Sequence, residues 1–324
     1  MLRVAALLSA ALLLASLSTA RAGDAPPAPT AAPAAPAASA PVSPELAYGA
    51  YQAGRYLTAF ALATNAVTVK NDVKAMTLLG VLYSEGIAVA RNDEKAAEWY
   101  KLAADRGDRE AMFALAIFRI EGRAGPRDRA AGAKWLAAAA KLGHSIAAYD
   151  LALLYMEGQL FPQDFKRAAE LLRVAADAGH AQAQYALGTL YKQGRGVAKD
   201  MREAAKLWAA SALADDAEAQ VEYAIALFNG DGVGKDEAAA AALFRKAALK
   251  GSAIAQDRLA RILAQGRGAP KNPVEAVKWR LISKAGGETD LKLDDFVNAL
   301  DADTRSAGEK AAKPWLDALT KPKG

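Results

Sequence analysis

Between residues 75 and 290 the apolar positions of the chain recur with two nested periods, one of helical spacing and one of 36 residues. Within each 36-residue unit two stretches carry apolar side chains at i, i+3, i+4 and i+7, which places them on one face of an α-helix. Each unit therefore predicts a pair of helices, A and B. Six units follow one another without insertion or deletion, 75–110, 111–146, 147–182, 183–218, 219–254 and 255–290, and each opens on alanine: Ala75, Ala111, Ala147, Ala183, Ala219 and Ala255. In helix A the fifth position holds Leu79, Leu115, Leu151, Leu187, Tyr223 and Leu259, and the eighth holds Leu82, Phe118, Leu154, Leu190, Ala226 and Ile262. These are the expected core, each large side chain contributing about 1.5–3 kcal/mol when fully buried. In helix B the small residues Ala96, Gly132, Ala168, Ala204, Ala240 and Ala276 precede the large ones Trp99, Trp135, Leu171, Leu207, Leu243 and Trp279. Such small-against-large alternation lets helix layers interdigitate.

The polar and flexible positions punctuate this pattern. Gly86, Gly122, Gly158, Gly194, Gly230 and Gly266 stand twelfth in each unit, where a left-handed residue closes helix A. Six residues on come Asn92, Asp128, Asp164, Asp200, Asp236 and Asn272, which predict N-caps for helix B. Asp200 with Glu203, and Asn272 with Glu275, have capping-box spacing. Capping accounts for carboxylates that recur every 36 residues, so they are not read as catalytic. Gly107, Gly143, Gly179, Gly251 and Gly287 end helix B, with Asp215 in the equivalent place in one unit. Self-similarity at such a period predicts an all-α solenoid in which each unit buries its apolar face only against its neighbours.

The ends depart from the period. Residues 45–74 predict an N-terminal capping pair, ELAYGAYQ and YLTAFALATNA, split by Gly54. Residues 291–324 predict C-terminal capping helices, LKLDDFVNAL and DADTRSAGEKAAKPWLDAL, the second bent or broken at Pro314. Trp315 and Leu316 are expected to pack on the last unit, and TKPKG to fray. At the other end, residues 1–22 have the form of a signal peptide: Arg3, the apolar run from Val4 to Leu17, and Ala20-Arg21-Ala22 as the cleavage site. The run is shorter than the roughly 20 residues that span a bilayer, so cleavage before Gly23 and no membrane insertion afterwards are expected. Residues 23–44, nearly all Ala, Pro, Thr and Ser, cannot bury enough apolar surface to fold and predict a disordered linker.

Composition narrows the function classes. The formal charge of +5 becomes +3 once Arg3 and Arg21 leave with the signal peptide, and basic and acidic residues are interleaved along the chain, so no basic run argues for nucleic acid. There is no cysteine, hence no disulfide, thiolate nucleophile or cysteine metal site. No serine has a lysine three residues on, and H-E-x-x-H is absent. His144 and His180 each follow a helix-B glycine one unit apart and read as loop residues. G-x-G at 194–196 and 230–232 follows a helix, not a strand, and lacks the rest of a dinucleotide fingerprint.

Written out, AQYALGTLYKQGRGVAKDMREAAKLWAASALADDAE (183–218), with LGVLYSEG and EKAAEWYKLAADRG in 75–110, the unit closely resembles the Sel-one-like repeat family of the tetratricopeptide-repeat superfamily. Its pattern is A-x-x-x-L-G-x-x-Y-x-x-G-x-G-V followed by K-A-x-x-W-Y-x-K-A-A-x-x-G. Arg119 replaces the usual Tyr of helix A, and Ala88, Ala124 and Leu160 replace the second loop glycine. The resemblance implies a right-handed superhelical solenoid of antiparallel helix pairs, helix A on its concave side, and a role in binding other proteins, often in bacterial signalling or envelope complexes. Some secreted members are cysteine-rich and linked to β-lactams, but this chain lacks those cysteines.

On helix A, the third, seventh and tenth positions are not required by the core, and they are most apolar in units 2 to 5. They predict a partner-binding groove of Phe113, Ile117, Ile120, Tyr149, Leu153, Met156, Tyr185, Lys192, Ile225 and Phe228, with Glu121 and Glu157 joining Lys192 at the rim. The resulting expectation is a non-enzymatic, exported protein–protein interaction module without cofactor or metal. It would act in a Gram-negative periplasm, or beyond it if secreted, as scaffold or regulator of an envelope or signalling complex. Two alternatives stand beside it: an envelope enzyme or binder for peptidoglycan-like or β-lactam compounds, and a secreted factor acting on host proteins.

Overall fold

The computed structural model describes residues 44–320, and all of the regular structure there is α-helical. The expected signal peptide, nearly all of the expected linker and the last four residues of the chain lie outside the described residues. An N-terminal pair, α1 (Pro44–Gln52) and α2 (Tyr56–Lys70), turns at Gly54 as expected, and α2 runs four residues beyond the predicted Ala66. Six A–B pairs follow: α3 (Val73–Glu85) and α4 (Asp93–Ala104), α5 (Arg109–Glu121) and α6 (Arg129–Lys141), α7 (Ser145–Glu157) and α8 (Phe165–Asp177). They continue as α9 (Ala181–Gln193) and α10 (Met201–Leu213), α11 (Ala217–Asn229) and α12 (Glu237–Leu249), α13 (Ala253–Gln265) and α14 (Pro273–Ala285). α15 (Leu291–Asn298) and α16 (Ala302–Thr320) close the array; α1 to α14 pack chiefly on their sequence neighbours, whereas α16 packs on α14.

Each A helix begins two residues before its alanine, because Asp72, Asp108, His144, His180, Asp216 and Ser252 cap it, accepting from the amides of Ala75, Ala111, Ala147, Ala183, Ala219 and Ala255. These alanines are fully buried. At the other end the six glycines hold φ of 68–84°. All six predicted helix-B caps also accept from the first turn. The capping boxes do not close, however. The Asp200 and Asn272 amides donate instead to the Tyr191 and Leu263 carbonyls of the preceding helix, while Glu203 meets Arg173 and Glu275 meets the Trp279 indole N–H.

The core follows helix A closely, with Leu154 and Tyr223 only half-buried. In helix B the burial maximum falls one residue later than predicted. Trp99, Trp135, Leu171 and Leu243 are half-buried, whereas Tyr100, Leu136, Leu172, Trp208 and Phe244 are sealed. The last repeat puts Arg280 there, 1% exposed, bonded to Asp257 (3.1 Å) and Asp294 (2.8 and 3.0 Å).

The A–B loops stack on the preceding repeat. Arg123, Arg195 and Arg267, 72 residues apart, reach back to the first residues of α4, α8 and α12. Arg123 pairs with Asp93, Arg195 lies over the Phe165 ring (3.7 Å) and Arg267 pairs with Glu237. Gly196, Gly232 and Gly268 approach the first turns of α8, α10 and α12 so closely that a Cβ would lie 2.1 Å from the carbonyl oxygens of Phe165, Met201 and Glu237. Ala88 and Ala124 hold the same left-handed turn with φ of 68° and 55°, and Leu160 leaves it. At the far end α16 continues through Pro314 without a break. Packing against α14 through Ala312 and the Trp315–Trp279 contact (5.4 Å) offsets the missing hydrogen bond.

Candidate interaction face

In the first three repeats the third residue of helix A, counted from its buried alanine, packs on the N-cap of the next helix A. Thr77 donates to Asp108 (3.1 Å), the Phe113 ring stacks on His144 (4.5 Å between centroids), and Tyr149 lies against His180 (4.7 Å). At these two caps imidazole gives both a ring face and an acceptor nitrogen. Its Nδ1 accepts from Ala147 (3.1 Å) in His144 and from Ala183 (3.2 Å) in His180. With Nδ1 accepting, Nε2 of His144 carries the proton and donates to Glu110 Oε2 (3.0 Å). That bond, first among the causes, holds the Glu110 carboxyl below its ordinary range. Burial pushes His180 down, keeping it neutral. Neither histidine is a free loop residue, and the recurrence of cap-competent residues every 36 positions, 72 to 252, is the signal that identifies both as caps.

The predicted groove residues all sit on the A-helix layer of α5 to α11, but they do not form an open apolar patch. Phe113, Ile117, Tyr149, Leu153, Met156, Tyr185, Ile225 and Phe228 are half-buried. Ile120 is 7% exposed and packs beneath α6 at Gly132, so it belongs to the core. Lys192 pairs with Glu222 (2.8 Å) and lies over the Trp208 ring (5.5 Å), Phe228 is covered by Arg267 (4.6 Å), and Glu157 pairs with Arg129 (3.2 Å). The large apolar residues that are fully exposed lie elsewhere, as at Leu57 in α2 and Leu213 at the end of α10.

What the sequence reading missed is the charge around these rings. Burial first, then Asp150, Asp216 and Glu218, push the Tyr149 phenol up. Tyr185 is pushed up to about 12 by burial, Glu218 and Glu222. Tyr149 stands on α7, and Asp216 and Glu218 belong to the beginning of α11, so carboxylates from two repeats away reach it across α9. Among the described residues no three metal-ligating side chains cluster.

The family profile described as the Sel1 repeat matches residues 73–108, 109–144, 145–180, 181–216, 217–252 and 253–279, in step with the A-helix starts. No curated protein matches the chain's sequence. Among solved structures, the chain is similar to a Sel1 repeat protein from Oxalobacter formigenes, with 27% identity, a TM-score of 0.60, and 76% of this chain and 97% of that one covered. It is also similar to c5321, described as a protective antigen present in uropathogenic Escherichia coli strains, with 25% identity, a TM-score of 0.55, and 86% and 71% covered.

Proposed function

The chain belongs to the Sel1 repeat family, a family of protein-interaction scaffolds, and from that premise we propose that it works as a non-catalytic binding module whose A-helix face over repeats 2 to 5 receives a peptide or helix of another protein. The supporting observation is the ladder of half-buried rings, Phe113 on His144 and Tyr149 on His180 with Tyr185 beside them. Phe113 and Tyr149 are each held against a helix cap and are only part-covered. Rigid aromatic rings of this kind supply contact area at low entropic cost. Replacing Phe113 and Tyr149 with Ala, with helicity retained, is expected to abolish capture of the partner by the purified protein; capture at wild-type strength would exclude this face.

We place the module outside the cytoplasm, in the bacterial envelope, on the strength of the three-part leader in residues 1–22. N-terminal sequencing of the protein from a periplasmic fraction is expected to begin at Gly23, and recovery of the chain with Met1 in the cytosol would contradict the export.

A further inference from the structure

The two helix layers of the array carry opposite charge. Helices α5, α7, α9 and α11 together hold six carboxylates, Glu110, Glu121, Asp150, Glu157, Glu218 and Glu222, against three cations, Arg109, Arg119 and Lys192. Their partners α6, α8, α10 and α12 hold ten lysines and arginines against four acids. The whole chain carries +5, so the acidic A layer runs against the sign of the molecule. Two of the A-layer cations are already engaged, Arg109 with Glu110 (3.2 Å) and Lys192 with Glu222 (2.8 Å).

Not every carboxylate near the rings has such a partner. Asp150, next to Tyr149 in the sequence, makes no hydrogen bond or ion pair among the described residues, and its burial favours the uncharged form. Glu218 is exposed and equally without an ion pair, and Asp216 spends one oxygen on its helix cap. An aromatic face flanked by uncompensated carboxylates favours a cation twice, through the ring quadrupole and through direct charge. It disfavours an acidic segment by the same terms.

We propose that the segment received by the A-helix face is cationic: a lysine or arginine side chain of the bound peptide lies over the Tyr149 and Tyr185 rings, with Asp216 and Glu218 meeting its charge. The assignment rests on the groove reading above and adds the chemistry of the partner. The B layer offers nothing comparable, since its exposed carboxylates are outnumbered by cations.

A short fluorescein-labelled peptide of alternating lysine and leucine, with glutamate–leucine and serine–leucine counterparts, tests this by fluorescence anisotropy against the full-length mature protein. The lysine peptide is expected to bind at least about tenfold more tightly than the serine one, as a desolvated cation–π contact supported by charge implies, and the glutamate peptide not at all. Glu218→Gln with Asp216→Asn, which keeps the helix cap, is expected to remove that preference, Tyr149→Ala to weaken binding, and Lys206→Glu on the B layer to change neither. If the three peptides bind alike and Phe113→Ala with Tyr149→Ala abolishes all of it, the cationic assignment is wrong and the groove stands. If no peptide binds, or binding ignores the ring variants, both fail. Self-association at low salt that the lysine peptide cannot displace would give the face to a second copy's basic layer and likewise overturn the proposal.

Discussion

Asp150 shows how one residue on the A layer couples protonation to folding. Burial is the leading cause that pushes its carboxyl from 3.8 up to about 7, with His144 pulling weakly the other way. Between those values the folded chain holds a proton that the unfolded chain has released, so stability falls as pH rises from about 4 to about 7 and stays lowered above that. Asp150→Asn removes the ionisable group and keeps the shape. The variant is expected to match the parent in thermal unfolding at pH 4 and to exceed it at pH 8, by on the order of 2–4 kcal/mol for a shift of this size; parallel curves at the two pH values would mean that the carboxylate is well solvated. None of this is visible along the sequence, where Asp150 is one polar residue in an apolar helix. Its environment comes from residues on other repeats. The histidine caps are a gentler case: the 36-residue ladder of Asp72, Asp108, Asp216 and Ser252 marks the position, but histidine is not an ordinary cap, and its stacking on Phe113 or Tyr149 of the previous repeat shows only in the structure.

At the scale of the element, the A–B loop is where repeats differ most in chemistry while keeping one shape. Gly196 has φ of 71° and no room for a Cβ, which would lie 2.1 Å from the Phe165 carbonyl oxygen. Ala124 keeps a left-handed conformation, φ 55°, with a Cβ in place. Gly196→Ala is therefore expected to cost more than about 2 kcal/mol, combining the left-handed penalty with displacement of backbone. Ala124→Gly is expected to gain up to about 1 kcal/mol, since relief of the left-handed conformation exceeds the added chain entropy. Urea unfolding of both variants checks the pair, and a neutral Gly196→Ala would show that the loop yields. The helices and their ends were legible because glycine and cap residues recur six times, so that each position is tested by its equivalents. The failed capping boxes and the unbroken α16 were not, because both outcomes depend on a neighbouring helix: the Tyr191 and Leu263 carbonyls take the cap amides, and α14 supports the turn around Pro314.

For the molecule as a whole, a solenoid distributes stability over nearest-neighbour interfaces, so its ends decide where unfolding begins. The N-terminal end is closed by an apolar pair, α1 and α2, against α3. The C-terminal end uses charge instead. Arg280 occupies the position that holds Tyr100, Leu136, Leu172, Trp208 and Phe244 in the other repeats, and it joins α14 to α13 through Asp257 and to α15 through Asp294 and the Glu288 carbonyl (3.3 Å). Removing one side of a buried pair strands the other, typically at about 3–5 kcal/mol, whereas replacing both by well-packed apolar residues is often neutral. Arg280→Leu alone is accordingly expected to loosen the C-terminal end: hydrogen exchange of α14 to α16 should accelerate while α5 to α10 keep their protection. Arg280→Leu with Asp257→Val restores the residue types that Leu172 and Val221 place at these positions in other repeats, and should recover most of the protection. If the single and double variants exchange alike, the bond from Arg280 to Asp257 is not what fastens this end, and the link to Asp294 alone must carry it. The pattern of loss also reports on the array, since acceleration reaching α5 would show the six repeats opening as one unit and not from the end inward.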